Sequence, residues 1–208
     1  LLIMPSAAMS TYATKLVEGN VPLSITLTST CALFSFITIP IYLYFFSKYF
    51  YIDNFELNLF EFSIKTFIFI TTPVVIGVFC IEKFPKSFEK KVFFLDRLAF
   101  ILFLIIVFIA ILTEKDNLID YFSDIGAVIG TILGIIFVVV FLITKIFVKD
   151  LKSRRAILIE AILQNGAMGF VIGSLIYDEV IYLIPIAIYA LMQYCILLFY
   201  IGNIKIKN

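Results

Sequence analysis

The chain of 208 residues has no histidine and no tryptophan, and only 15% of it is Asp, Glu, Lys or Arg. Without histidine the commonest general base and the commonest transition-metal ligand are both missing. Membrane-embedded hydrolysis is therefore disfavoured and the chain is not expected to be an enzyme. Cysteine is scarce: Cys31, Cys80 and Cys195 lie in or beside apolar runs at unrelated spacings, which suits buried thiols better than disulfides or a zinc site. A net charge of +1 gives no electrostatic case for nucleic acid. What is present is apolar, 62% of the residues with a mean hydropathy of +1.11. A water-soluble domain cannot hide so much apolar surface, whereas a polytopic membrane protein presents it to lipid. The expected fold is an all-α polytopic membrane protein whose first partner is the bilayer.

The few charges divide the chain. Apolar spans are expected over roughly 22–47, 66–81, 98–113, 125–144, 156–177 and 180–204. Residues 51–63 keep apolar residues among acidic ones and read as an interfacial connector. The first segment meets Lys15 too early to span, given that about 20 apolar residues are needed. With Leu1 in first place and no signal-peptide pattern, the sequence reads as N-terminally truncated. The loop at 82–97 (Lys83, Lys86, Lys90, Lys91, Arg97) and the junction at 145–155 (Lys145, Lys149, Lys152, Arg154, Arg155) are basic, while 114–124 is mainly acidic. By the positive-inside rule, both basic loops and the C-terminus belong on the cytoplasmic side of a cell (inner) membrane.

Two places interrupt the apolar runs. In 5–31, Pro5 limits any helix before it, Ser10 and Thr11 sit where a helix would restart, and Gly19-Asn20 with Pro22 turn the chain into the next span. Ser24 and Thr28 are four apart and share a helical face. In 160–169, Glu160 and Gln164 share a face at the same spacing, and Asn165-Gly166 is a natural helix break. Pro40 and Pro73 read as kinks or span ends, and Gly126, Gly130 and Gly134 as a packing face.

Glu160 is the only one of fifteen acidic residues well inside an apolar stretch. A carboxylate there costs roughly 2.5 kcal/mol or more unless paired or solvated. Sodium is a hard cation that wants several oxygens at once, and a membrane protein offers carboxylate, amide and hydroxyl oxygens, and carbonyls freed where a helix unwinds. Structural readings stand beside this one. Ser24 and Thr28 can bond back one turn, Gln164 and Asn165 can join helices, and Glu160 can pair with Arg155 or Arg154.

The run STYATKLVEGNVPLSITLTST over 10–30 resembles the motif after the first broken helix of the bile acid:sodium symporter family. RRAILIEAILQNG over 154–166 resembles the second broken helix, and Pro73-Val74-Val75-Ile76-Gly77 a Pro-Val-x-x-Gly stretch of an intervening span. The resemblance implies the C-terminal part of a ten-helix inverted-repeat transporter with two crossing discontinuous helices, about six and a half spans of it being present. It implies one membrane domain: 1–50 as the end of the first repeat, 51–63 as connector, and 64–208 as the second repeat of five spans. It implies Na⁺ as coupling ion with no other cofactor, and uptake of a small organic anion, a bile-acid-like carboxylate or sulfonate. Ser10, Ser24, Thr28 and Glu160 match one sodium site, where Thr11 replaces the usual Asn. Glu160 and Gln164, with the carbonyls of Ala161 and Leu163, match a second. Asn165 and Gly166 match the substrate region, where Gly-Ala-Met-Gly replaces the usual Ser-Gly-Leu-Ala. Open alternatives are a truncated remnant, a membrane protein whose polar residues only pack helices, and a proton-driven or uniport exporter.

Overall fold

The computed structural model describes residues 2–7, 9–49, 59–84, 118–177 and 179–207, with Lys91, Phe94, Leu95, Arg97, Leu98, Ile101, Leu102, Ile105, Phe108, Ile109 and Leu112 between them. Its order is α1 (Met9–Leu16), α2 (Val21–Tyr49), α3 (Leu59–Lys83), α4 (Leu118–Phe147), α5 (Leu151–Ile162), α6 (Gly166–Ile176), a 3₁₀ turn (Val180–Leu183) and α7 (Ile184–Lys207). The described positions from 91 to 112 are all helical. Stretches of α2, α4 and the turn with α7 are each long and apolar enough to cross a membrane (Val21–Phe46, Ile125–Phe147 and Val180–Ile204). Large side chains left open on them, Phe45, Phe147 and Phe199 among others, form the kind of apolar exterior that lipid covers.

The helix ends follow local chemistry. Asn20 caps α2, its Oδ1 accepting from the N–H of Leu23 at 3.1 Å, and Pro22 in the first turn gives up no helical hydrogen bond. Asp150 caps α5 by accepting from the N–H groups of Lys152 and Ser153. The Ser153 hydroxyl and N–H hold the Asp150 carboxyl below its usual range. Pro40 and Pro73 lie inside α2 and α3.

Several spans depart from the sequence pattern. The span expected over 156–177 is two short helices, α5 and α6, separated by Leu163–Asn165. The helix expected from 125 starts at Leu118 and takes in positions 120 and 124. Of the connector at 51–63, residues 51–58 lie outside the described residues and 59–63 open α3. Most of the basic loop at 82–97 also lies outside them. Cys31 and Cys195 are exposed and Cys80 half-buried rather than buried, and all three thiols are free. Of the glycine face, among the described residues only Gly130 meets another helix: a Cβ there would come within 3.0 Å of Met192 Cε on α7.

The packing converges on the two interruptions. Ala7, Ala13, Val17, Ile159, Leu163, Leu197 and Ile201 form one cluster, joining the start of the chain, α1, α5 and α7. Ile129 and Leu133 of α4 meet Ile184, Ile188 and Tyr189 of α7. Met4, Ile39, Phe62 and Ile172 tie α2, α3 and α6. With lipid outside, such contacts hold helices through dispersion and shape, because hydrocarbon competes equally for apolar surface.

Candidate functional site

The two interruptions lie against each other. Ser6 and Gln164 form an antiparallel bridge, in which Ala7 N–H donates to the Leu163 carbonyl at 2.9 Å and Asn165 N–H to the Pro5 carbonyl at 2.8 Å. A continuous helix would have sent the N–H of Asn165 to Ala161 and that of Gln164 to Glu160. Here the first goes to the opposite break, and the Ala161 carbonyl takes the Gln164 side-chain amide at 3.2 Å instead. The Glu160 carbonyl takes the Ser6 hydroxyl at 3.1 Å. Each break thus supplies partners that the other lost, which is the condition for irregular backbone inside a membrane.

Glu160 sits beside this crossing, 6% exposed. Ser10 donates to its Oε1 at 2.6 Å and Thr28 to its Oε2 at 2.7 Å, while Ser24 also donates to Oε1. Thr11 Oγ1 lies 3.3 Å from Ser24 Oγ, and the Ser10 and Thr28 hydroxyls are 3.3 Å apart. The four-residue spacing of Ser24 and Thr28 therefore does what the face argument requires: one helix turn of α2 presents two hydroxyls to one carboxylate of α5. Thr28 is also 3.1 Å from the Ser24 carbonyl, so the structural back-bond and the carboxylate contact share one proton. A hydroxyl that gives its proton to the carboxylate keeps its lone pairs. The result is a cluster of oxygens around one negative charge.

The ion-pair alternative for Glu160 is overturned. Arg155 donates to the Val17 carbonyl at 2.6 Å, and Arg154 Nε donates to the Val148 carbonyl. Both guanidinium groups serve carbonyls just past the ends of neighbouring helices, and among the described residues no cation pairs with Glu160.

The remaining predicted site residues divide. Ala161, Gln164 and Glu160 line an open cavity of about 460 Å³, together with Ser6, Thr30, Cys31 and Thr38. Leu163 is fully buried and its carbonyl already receives the N–H of Ala7, so only its second lone pair is left for any cation. Asn165 caps α6, its Oδ1 accepting from Met168 N–H at 3.0 Å, and Gly166 is the buried first residue of that helix. Asn165 thus explains the break as well as marking it.

Two residues escaped the sequence reading. Ser6 looked like part of a small-residue run, and its contact with position 160 spans most of the chain. Gln193, 1% exposed on α7, brackets the Gln164 peptide: its Oε1 accepts from Gln164 N–H at 2.9 Å and its Nε2 donates to the Gln164 carbonyl at 3.1 Å. Its signal was the one that singled out Glu160, a polar group deep in an apolar run.

The model of the sodium bile acid symporter family matches residues 1–121. Comparison with curated proteins gives no match. The match takes in Ser10, Thr11, Ser24 and Thr28 and ends before α5, so Glu160 and the second break join the site through geometry. The matched part exceeds half of the chain, and together with its apolar helices it makes this a multi-pass membrane protein of the sodium bile acid symporter family, whose members are transporters.

Proposed function

We propose that the protein is a secondary transporter in which Na⁺, held around Glu160, is coupled to uptake of a small organic anion at the crossing. The observation that carries this reading is the Glu160 carboxylate ringed by the hydroxyls of Ser10, Ser24 and Thr28 from two other helices. One bound Na⁺ balances one carboxylate, so the loaded site is nearly neutral and its passage through the low-dielectric interior is cheap. Thr11 adds an oxygen at the edge of this cluster. Gln164 and the Ala161 carbonyl offer a second set of oxygens on the cavity side of the same carboxylate, with the spare lone pair of Leu163 beyond them.

The cavity bears on the cargo. Its volume of about 460 Å³ falls within the roughly 300–1,000 Å³ of small-molecule sites. Its described lining contains no Lys or Arg, so a carboxylate or sulfonate entering it needs another positive partner. Bound sodium beside Glu160 supplies one, and the N-terminus of α6, at Asn165 and Gly166, follows directly after Gln164 of the lining. This dependence of anion binding on sodium binding is what couples the two flows.

In this reading the bridged breaks belong to two inverted repeats of a ten-helix protein, 1–50 closing the first and 64–208 forming the second around a connector at 51–63. The basic junctions and the C-terminus face the cytoplasm across the cell membrane. The test is uptake of radiolabelled taurocholate and of a panel of short carboxylates into proteoliposomes, with an inward gradient of NaCl or of choline chloride. Uptake that needs NaCl supports the reading. Uptake equal in choline chloride, or driven by a proton gradient alone, overturns it.

A further inference from the structure

We infer that Gln193 is a positioning residue that holds the second break open in the geometry the cation cluster needs; the sodium part of this inference rests on the function proposed above. In extended chain, the N–H and C=O of one residue point to one edge, and those of its neighbours to the other. Leu163 and Asn165 use their inward edge for the bridge with Ala7 and Pro5. The N–H and C=O of Gln164 consequently face outward, away from the crossing and into the helices behind it. Without partners, each would cost about 1–3 kcal/mol as a buried, unsatisfied group.

Gln193 meets both at once. A carboxamide carries an acceptor and a donor side by side, the same pair that an adjacent strand would offer. At 2.9 and 3.1 Å it completes a three-strand arrangement in miniature: Pro5–Ala7 on one edge, Leu163–Asn165 in the middle, and a single side chain on the other. Only an amide of this reach fits. An apolar residue gives neither bond, and a hydroxyl cannot span from N–H to C=O.

The consequence reaches Glu160. With Gln164 N–H drawn to Gln193, it cannot close the next helical bond onto the Glu160 carbonyl, which is left for Ser6. The Gln164 side chain stays folded toward the Ala161 carbonyl beside the cavity. Removing the amide therefore frees α5 to wind further, turning Gln164 and the carbonyl of Leu163 away from their present places. Because Gln193 belongs to α7, it also makes that helix a support for the break.

The experiment has three arms on the purified protein in detergent. In the wild type, residue-resolved hydrogen exchange should find the Gln164 amide as protected as those of the flanking helices, although it lies outside both. Rapid exchange there overturns the inference without any variant. Gln193→Met, close in size and without polar atoms, should speed that exchange tenfold or more. It should also raise the NaCl concentration giving half of the thermal stabilisation tenfold or more, while the stabilisation at saturating NaCl stays within twofold of wild type. Gln193→Asn, one methylene short, should fall between the two and serves where the Met variant does not fold. An unchanged half-saturation with unchanged exchange overturns the positioning role. A wild type that NaCl stabilises no better than choline chloride overturns the sodium reading instead, and the exchange arms still decide whether Gln193 holds the break.

Discussion

The two breaks are built alike on the edge where they meet and unlike on the edge where they part. Leu163–Asn165 has its outer edge closed by the buried amide of Gln193. Pro5–Ala7 turns its outer edge toward the cavity that Ser6 and Thr30 line, and among the described residues nothing pairs with the N–H and C=O of Ser6. One break is closed off by a side chain behind it. The other leaves its polar backbone beside an open space of molecular size. Support and access are therefore placed apart: Gln193 backs the second break from behind, while Glu160, Ala161 and Gln164 face the same opening that Pro5 and Ser6 line.

The largest expected effect breaks the open side at its charge. Glu160→Gln keeps the shape and the hydrogen-bond reach but removes the negative charge that a bound cation neutralises, so sodium-driven uptake should be lost. Uptake in proteoliposomes reads this directly. Next come the hydroxyls. Ser24→Ala or Thr28→Ala removes a hydrogen bond to a charged group, worth about 1.5–3 kcal/mol, and an oxygen of the proposed sodium site with it. Half-saturating sodium should rise roughly ten- to hundredfold by that energy scale, with the maximal rate little changed. An unaltered sodium dependence in both variants would return the two residues to packing. The Gln193 variants described above rank beside these and separate support from ligation.

Smaller effects come from the ends of the helices that carry the break. Asn165→Ala should cost about 1 kcal/mol through the lost cap of α6, read as a lower melting temperature in detergent. Asp150 caps α5, and its carboxyl is held below the usual range by Ser153. A depressed carboxyl stabilises the folded state above its unfolded pKa near 3.9, and the contribution is lost as pH falls through the folded value. The melting temperatures of wild type and Asp150→Ala should therefore differ at neutral pH and converge in strong acid. Equal values at neutral pH would remove the cap from the account.

Much of this was legible in the sequence because it is local. A carboxylate in an apolar run, hydroxyls four apart, and a Gln-Asn-Gly interruption all report helix faces and helix ends without knowledge of the fold. Pro5 and Gly19-Asn20 likewise marked the ends of α1. What the sequence did not reveal depends on contacts between distant positions. Ser6 reaches the carbonyl of Glu160, and Gln193 the peptide of Gln164, and neither spacing has a period to detect. Nor did it show what Arg154 and Arg155 do: six and five residues from Glu160 they looked available for it, whereas helix ends claimed them first. The start of α4 at Leu118 was missed because charges marked the span ends in the sequence, whereas the helix runs on past them.

Equilibrium binding of radioactive sodium to the purified protein, in wild type and Glu160→Gln, tests the central claim most directly. The account predicts saturable binding that potassium and choline do not displace, and its loss in Glu160→Gln while the variant stays folded. Equal sodium binding by the two proteins, or none by the wild type, would contradict it.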